Sequence, residues 1–147
     1  MTDTDCVFCD IVAGEADALV VEERDGGEEG AGTLAFSPLD PVAPGHVLVI
    51  PKPHHESLFD VPPDVLGDVM AHVQDLATRM RGGGSDERGF DGVAVLNDST
   101  DYQSVPHLHL HLVGRHDGDP DLLPDSGDYG IARRDAFDAV TAALDDD

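Results

Sequence analysis

Six consecutive residues, His107-Leu108-His109-Leu110-His111-Leu112, constrain this chain more than any others. Strict alternation of polar and apolar side chains has a period of two, and an extended strand converts that period into two chemically distinct faces. The leucines are expected to enter a core and the imidazoles to line the opposite surface. A single histidine there would be an ordinary polar position on a half-exposed strand. Three in register, out of 8 in the chain, point to chemistry.

The rest of the pattern gives this strand neighbours. Residues 18–23 and 33–36 read as strands joined by the Gly- and Glu-rich stretch 25–32, expected to be a mobile, solvated loop. Residues 45–50 are β-branched and apolar enough for a buried strand, and residues 92–96 supply another. A long helix starts at Pro62-Pro63, where a missing N–H costs nothing. It carries Val65, Leu66, Val69, Met70, Val73, Leu76, Ala77 and Met80 at helical spacing and stops at Gly82-Gly83-Gly84. A short helical stretch lies near residues 10–13. A C-terminal helix bears Phe137, Val140 and Leu144 on one face, and its end at residues 145–147 should fray because three aspartates oppose the helix dipole. The triple-histidine strand spans 107–113, after a loop over 97–106. This order predicts an α+β fold with a largely antiparallel sheet, as one domain over 1–147 with residues 1–5 frayed.

With 147 residues the chain can bury about two thirds of its unfolded surface without staples. It has no apolar run near the ~20 residues of a membrane span and no basic-then-apolar amino terminus. It is therefore expected to be soluble and intracellular, with no membrane partner. Against 31 acidic residues stand 8 Lys and Arg, a net charge of -23 that repels a phosphate backbone and excludes general nucleic-acid binding. Such a coat suits a salt-adapted cytoplasm, where ions screen the self-repulsion. Cys6-Val-Phe-Cys9, inside a cell, fits a metal clip or a redox pair better than a structural disulfide.

Two chemical uses compete for the histidine row. Metal-dependent hydrolysis would make His-x-His a ligand pair, but such sites usually add a carboxylate, and Leu112-Val113-Gly114-Arg115 offers none. The other use is nucleophilic attack on phosphorus by one imidazole, with Gln103 and Ser104 upstream as donors to a phosphate or leaving group.

The segment from Gln103 to Leu112 resembles the signature of the histidine triad (HIT) superfamily. Residues 6–15 and Pro44-Gly-His-Val-Leu-Val-Ile-Pro-Lys-Pro-His54 resemble two further stretches of its nucleotide-binding branch, in the family's order. The resemblance implies a half-barrel of antiparallel strands with one long central helix and a C-terminal helix, paired as a homodimer. It also implies a purine nucleotide substrate cut at the α-phosphorus. Carried over, His109 is the nucleophile, forming a nucleotidyl-histidine that water cleaves; His111 contacts phosphate oxygens; Ser104 and Gln103 assist the leaving group; Asn97 binds near ribose and phosphate; and His46 lies near the nucleotide. Branches that keep Cys-x-x-Cys place a structural zinc on a set that here would be Cys6, Cys9, His54 and His107, with His55 as the rival for His54. His72 and His116 are expected to be ordinary solvated residues.

One departure stands out. Where many relatives hold the ribose hydroxyls with an acidic residue, this chain has Pro38, which leaves two alternatives: Asp40 substitutes from two residues on, or the ribose is held otherwise. Three readings follow: a phosphoramidase or dinucleoside polyphosphate hydrolase releasing a nucleoside monophosphate, a nucleotide-binding module with incidental turnover, or a non-catalytic zinc domain. No organic cofactor is expected.

Overall fold

A computed structural model describes residues 6–26, 32–81, 89–100, 103, 105–120, 122 and 131–145. Ser104, residues 1–5, most of the loop expected over 25–32 and the terminal residues 146 and 147 lie outside them. The chain forms two compact units, Met1–Asp117 and Gly118–Asp147. In the first, α1 (Val7–Ala13), β1 (Val20–Arg24), β2 (Thr33–Phe36), β3 (His46–Pro51), α2 (Pro63–Met80), β4 (Gly92–Leu96) and β5 (Leu110–Arg115) follow in order. The second contains α3 (Arg133–Asp145), on which Arg134 pairs with Asp138 at 3.3 Å and lies over the Phe137 ring.

The five strands form one antiparallel sheet ordered β1-β2-β3-β5-β4, as the α+β reading expects. Alternation sorts its two faces. Ala35, Val49, Leu108, Leu110 and Leu112 join Val69, Val73 and Leu76 of α2 in one core cluster, while Phe8 joins Leu34, Phe36, Leu48 and Ile50 in another. The near-continuous apolar run of β3 follows from this, since both of its faces are covered. Helix α2 begins with Pro62 as its N-cap and Pro63 in the first turn, and α1 ends on Gly14, whose φ of 80° is a left-handed cap.

Two expectations need correction. The last sheet strand begins at Leu110, not at residue 107: Pro106 offers no N–H, the Leu108 N–H goes to the His55 carbonyl at 2.7 Å, and β4 leaves the ladder at the Leu96–His111 pair. His72 is not solvated. It is 0% exposed on the buried face of α2, its Nδ1 accepting from the Thr33 hydroxyl at 2.7 Å and its Nε2–H donating to Glu22 at 2.8 Å. Glu22 also accepts from Arg79, and those two bonds hold its carboxyl below the usual range. His116 is half exposed and stacked on Phe90.

Phe90 lies across Gly45 and Gly114, and a Cβ at either glycine would come within 2.5 Å of the ring. Gly114→Ala is therefore expected to destabilise the fold by about 1–3 kcal/mol through overpacking. Gly67→Ala, on an exposed part of α2 with nothing near its Cβ position, should be neutral or stabilising by about 0.5–1 kcal/mol. Urea unfolding of the two variants beside the parent protein measures both.

Candidate active site

The histidine row splits into two jobs, and hydrogen bonds assign them. His109 is 2% exposed, and its Nδ1 lies 2.7 Å from the carbonyl oxygen of His107. A carbonyl only accepts, so Nδ1 carries the proton and Nε2 keeps its lone pair. The Phe8 ring stands edge-on to His109 at 5.2 Å and fixes the imidazole plane.

A second chain of bonds runs through His46 and His111. The Val42 N–H donates to His46 Nδ1 at 3.1 Å, so a neutral His46 carries its proton on Nε2 and gives it to His111 Nδ1, 2.9 Å away. His111 then holds its own proton on Nε2. Burial lowers both pKa values, His111 to about 4, with nearby His109 and His46 adding to the shift. The site thus offers, side by side, an imidazole with a free lone pair and an imidazole that donates. Their ring centres are 5.1 Å apart.

His46, His109 and His111 line one cleft of about 900 Å³. Its walls are mainly apolar, built from Val7, Phe8 and Ile11 of α1, Leu19, and the segment after β2. These walls are tied together where the Ser37 N–H donates to the Leu19 carbonyl at 2.9 Å. Asp17, Asp40 and Pro38 also line the cleft, and among its described lining residues there is no lysine or arginine. Among those described residues, the His111 Nε2–H is a neutral donor available to an anion.

Asn97 and Gln103 stand differently from the cleft. The Asn97 amide donates to the His109 carbonyl at 3.0 Å, and neither residue lines the cleft. Gln103 uses its amide to brace the loop, donating to the Glu56 carbonyl at 2.7 Å and to the Val105 carbonyl, and accepting from the Thr100 N–H at 2.8 Å. Thr100 has a φ of 68°, a left-handed conformation uncommon for a β-branched residue, at the bend of this loop.

Behind the row, Cys6, Cys9, His54 and His107 bring their donor atoms within 4.8 Å of one another. His107 Nδ1 lies 3.3 Å from Cys6 Sγ and 3.5 Å from Cys9 Sγ, and His54 Nδ1 lies 3.2 Å from Cys9 Sγ. In a tetrahedral site with metal–sulfur bonds of about 2.3 Å and metal–nitrogen bonds of about 2.0 Å, donors stand about 3.3–3.8 Å apart, so the set fits a closed four-ligand centre. His107 Nε2–H donates to the Pro51 carbonyl at 2.9 Å, which leaves Nδ1 unprotonated and aimed at the sulfurs. Burial keeps this imidazole neutral, its pKa pulled to about 4. Between the rivals, His54 is the one in the cluster, while the His55 carbonyl accepts from Leu108.

The sequence reading did not single out Ser99 or the Val42 N–H. The second has no side-chain signal. His72 could have been found, because it completes the 69, 72, 73, 76 spacing of the buried face of α2.

A family model described as HIT domain matches residues 27–118. An adenosine 5'-monophosphoramidase of Candida albicans is 32% identical over 114 residues, covering 76% of this chain and 71% of the relative. An adenylylsulfatase of Arabidopsis thaliana is 31% identical, covering 78% of this chain and 54% of that protein. Among solved structures, a zinc-bound histidine triad family protein from Mycobacterium smegmatis matches with a TM-score of 0.71 and 32% identity, covering 96% of this chain and 99% of that one.

The lowered pKa of His111 has a sign. The folded state refuses a proton that the unfolded chain accepts below about 6.5. The stability this gives is present above 6.5 and is lost as pH falls from 6.5 toward 4. His111→Asn, which cannot titrate in that window, should flatten the decline in unfolding free energy between pH 6.5 and 4.5, measured by denaturant titration at stepped pH.

Proposed function

Because this chain belongs to the HIT family, we propose that it is a hydrolase, or nucleotidyl transferase, that cleaves a nucleoside phosphate conjugate at its α-phosphorus. The observation that carries this reading is the pinned tautomer of His109, with its Nε2 lone pair in an apolar cleft beside the donating Nε2–H of His111. His109 Nε2 attacks the α-phosphorus in line. A P–N bond forms as the bond to the leaving group breaks, and the leaving group takes a proton from solvent relayed through the Ser104 hydroxyl, a proton that the attacking water returns to solvent in the second step. Water then attacks the same phosphorus, breaks the P–N bond and releases a nucleoside monophosphate. His111 donates to the phosphate oxygens, and its own orientation comes from His46.

The purine lies against the apolar wall of Phe8 and Ile11, and Asp40 accepts from the ribose hydroxyls in place of the acidic residue that Pro38 displaces. Ser104 assists the leaving group, with Gln103 holding the loop that carries it and Asn97 acting on the phosphate side through the His109 backbone. Phosphoramidates are the first substrate class to test, supported by the name of the Candida relative; the Arabidopsis relative supports a sulfate leaving group as the next. Cys6, Cys9, His54 and His107 hold a structural zinc, supported by their donor set and by the zinc-bound neighbour. Such an ion supplies rigidity at the foot of the catalytic segment. The chain works as a homodimer in a salt-adapted cytoplasm, a reading supported by the family resemblance, by the outer position of β4 with Val95 half exposed, and by the net charge of -23. Among the described residues no helix is long and apolar enough to cross a membrane.

In molar salt, His109→Ala should lose release of adenosine monophosphate from an adenosine phosphoramidate by about a thousand-fold or more while still binding the nucleotide by calorimetry. Loss of less than tenfold would remove His109 from the chemistry. Elemental analysis should find one zinc per chain. Chelation, or Cys9→Ser, should lower stability by about 3 kcal/mol, read as a fall of about 10 °C in the melting midpoint.

A further inference from the structure

The sheet ends before the nucleophile does. The last β4–β5 pair is Leu96 with His111, so the peptide of His109 lies beyond the ladder, and its carbonyl is held by the side-chain amide of Asn97. An asparagine amide can turn either end toward such a carbonyl, and the two ends differ in sign: NH₂ attracts it and oxygen repels it.

Ser99 bonds the other end of that amide. Its Oγ lies 3.1 Å from the Leu58 nitrogen and 3.1 Å from Asn97 Oδ1. The Leu58 N–H can only donate, so the hydroxyl oxygen accepts there and its one proton is left for Asn97. The His109 carbonyl only accepts, so Asn97 turns NH₂ toward it, and the Asn97 oxygen left facing Ser99 takes the hydroxyl proton. Leu58 is in turn held by the 56–60 turn, where Asp60 accepts from the Glu56 N–H, the Ser57 N–H and the Ser57 hydroxyl at 2.8–3.0 Å. The Gln103 bond to the Glu56 carbonyl and the Leu108 bond to the His55 carbonyl fasten the same segment to the catalytic one.

We propose that Ser99 is a positioning residue for the nucleophile: by fixing the Asn97 amide it holds the His109 peptide, and with it the geometry in which His109 Nδ1 meets the His107 carbonyl. This rests on the catalytic role of His109 proposed above. Removing the hydroxyl lets Asn97 present its oxygen to the His109 carbonyl for part of the time, and the nucleophile loses its single orientation.

The test compares the zinc-loaded parent protein with Ser99→Ala, Ser99→Thr and Asn97→Asp, reading kcat and KM for an adenosine phosphoramidate and the ¹⁵N imidazole spectrum of His109. Ser99→Ala should lose about tenfold in kcat, the worth of one ordered hydrogen bond, with KM within twofold. The His109 spectrum should pass from one Nδ1–H tautomer to a mixture. Ser99→Thr should restore both, and Asn97→Asp, which presents oxygen either way round, should lose at least as much as Ser99→Ala. Parental kcat with a single tautomer in Ser99→Ala would overturn the proposal, as would an equal loss in Ser99→Thr. If Ser99→Ala fails to fold, parental kcat and a parental spectrum in Asn97→Asp would overturn it. If the parent protein turns over no phosphoramidate, the proposed function fails, and the imidazole spectra still decide the role of Ser99.

Discussion

The hydrogen bond from His109 Nδ1–H to the carbonyl of His107, at 2.7 Å, is the constraint on which the rest of the site depends. It turns an imidazole that could exchange tautomers into one with a fixed lone pair. His107 can offer that carbonyl only because its own backbone is held, and its ring reaches Pro51 on one side and the two cysteine sulfurs on the other. The candidate metal-ligand set and the proposed nucleophile therefore meet at one residue, His107, through its ring and its carbonyl.

The cleft's charge follows from the same arrangement. A phosphate site in most proteins would recruit arginine or lysine, yet the described residues lining this cleft, the proposed phosphate site, include neither, and the chain carries -23 overall. Imidazoles kept neutral by burial can donate to phosphate oxygens through N–H without carrying a charge that must be desolvated. In the proposed function, recognition depends on geometry and an apolar wall more than on long-range attraction, which salt screens.

The alternation of residues 107–112 foretold the separation of leucines from histidines, since Leu108, Leu110 and Leu112 fill the core against α2 while His109 and His111 face the cleft. The helix at Pro63–Met80 and the strand at Thr33–Phe36 were legible from spacing and from proline and glycine placement. The start of β5 was not, because alternation cannot tell a hydrogen-bonded strand from the lead-in at residues 107–109, where the His107 N–H turns back to Val105 and the Leu108 N–H goes to His55. His72 was misread because its partners, Thr33 and Glu22, lie 39 and 50 residues away. Ser99 and Thr100 lay in a stretch of polar residues where only the fold shows that one hydroxyl sits between Leu58 and Asn97.

The most direct test of the account is to quench the protein in alkaline denaturant, where a P–N bond to histidine survives, during turnover of an adenosine phosphoramidate in molar salt and map the covalent adduct by peptide mass spectrometry at neutral to alkaline pH. The account predicts one adenylyl group, on the peptide containing His109 and at that residue. Turnover with no trapped adduct, or an adduct on another histidine, would contradict it.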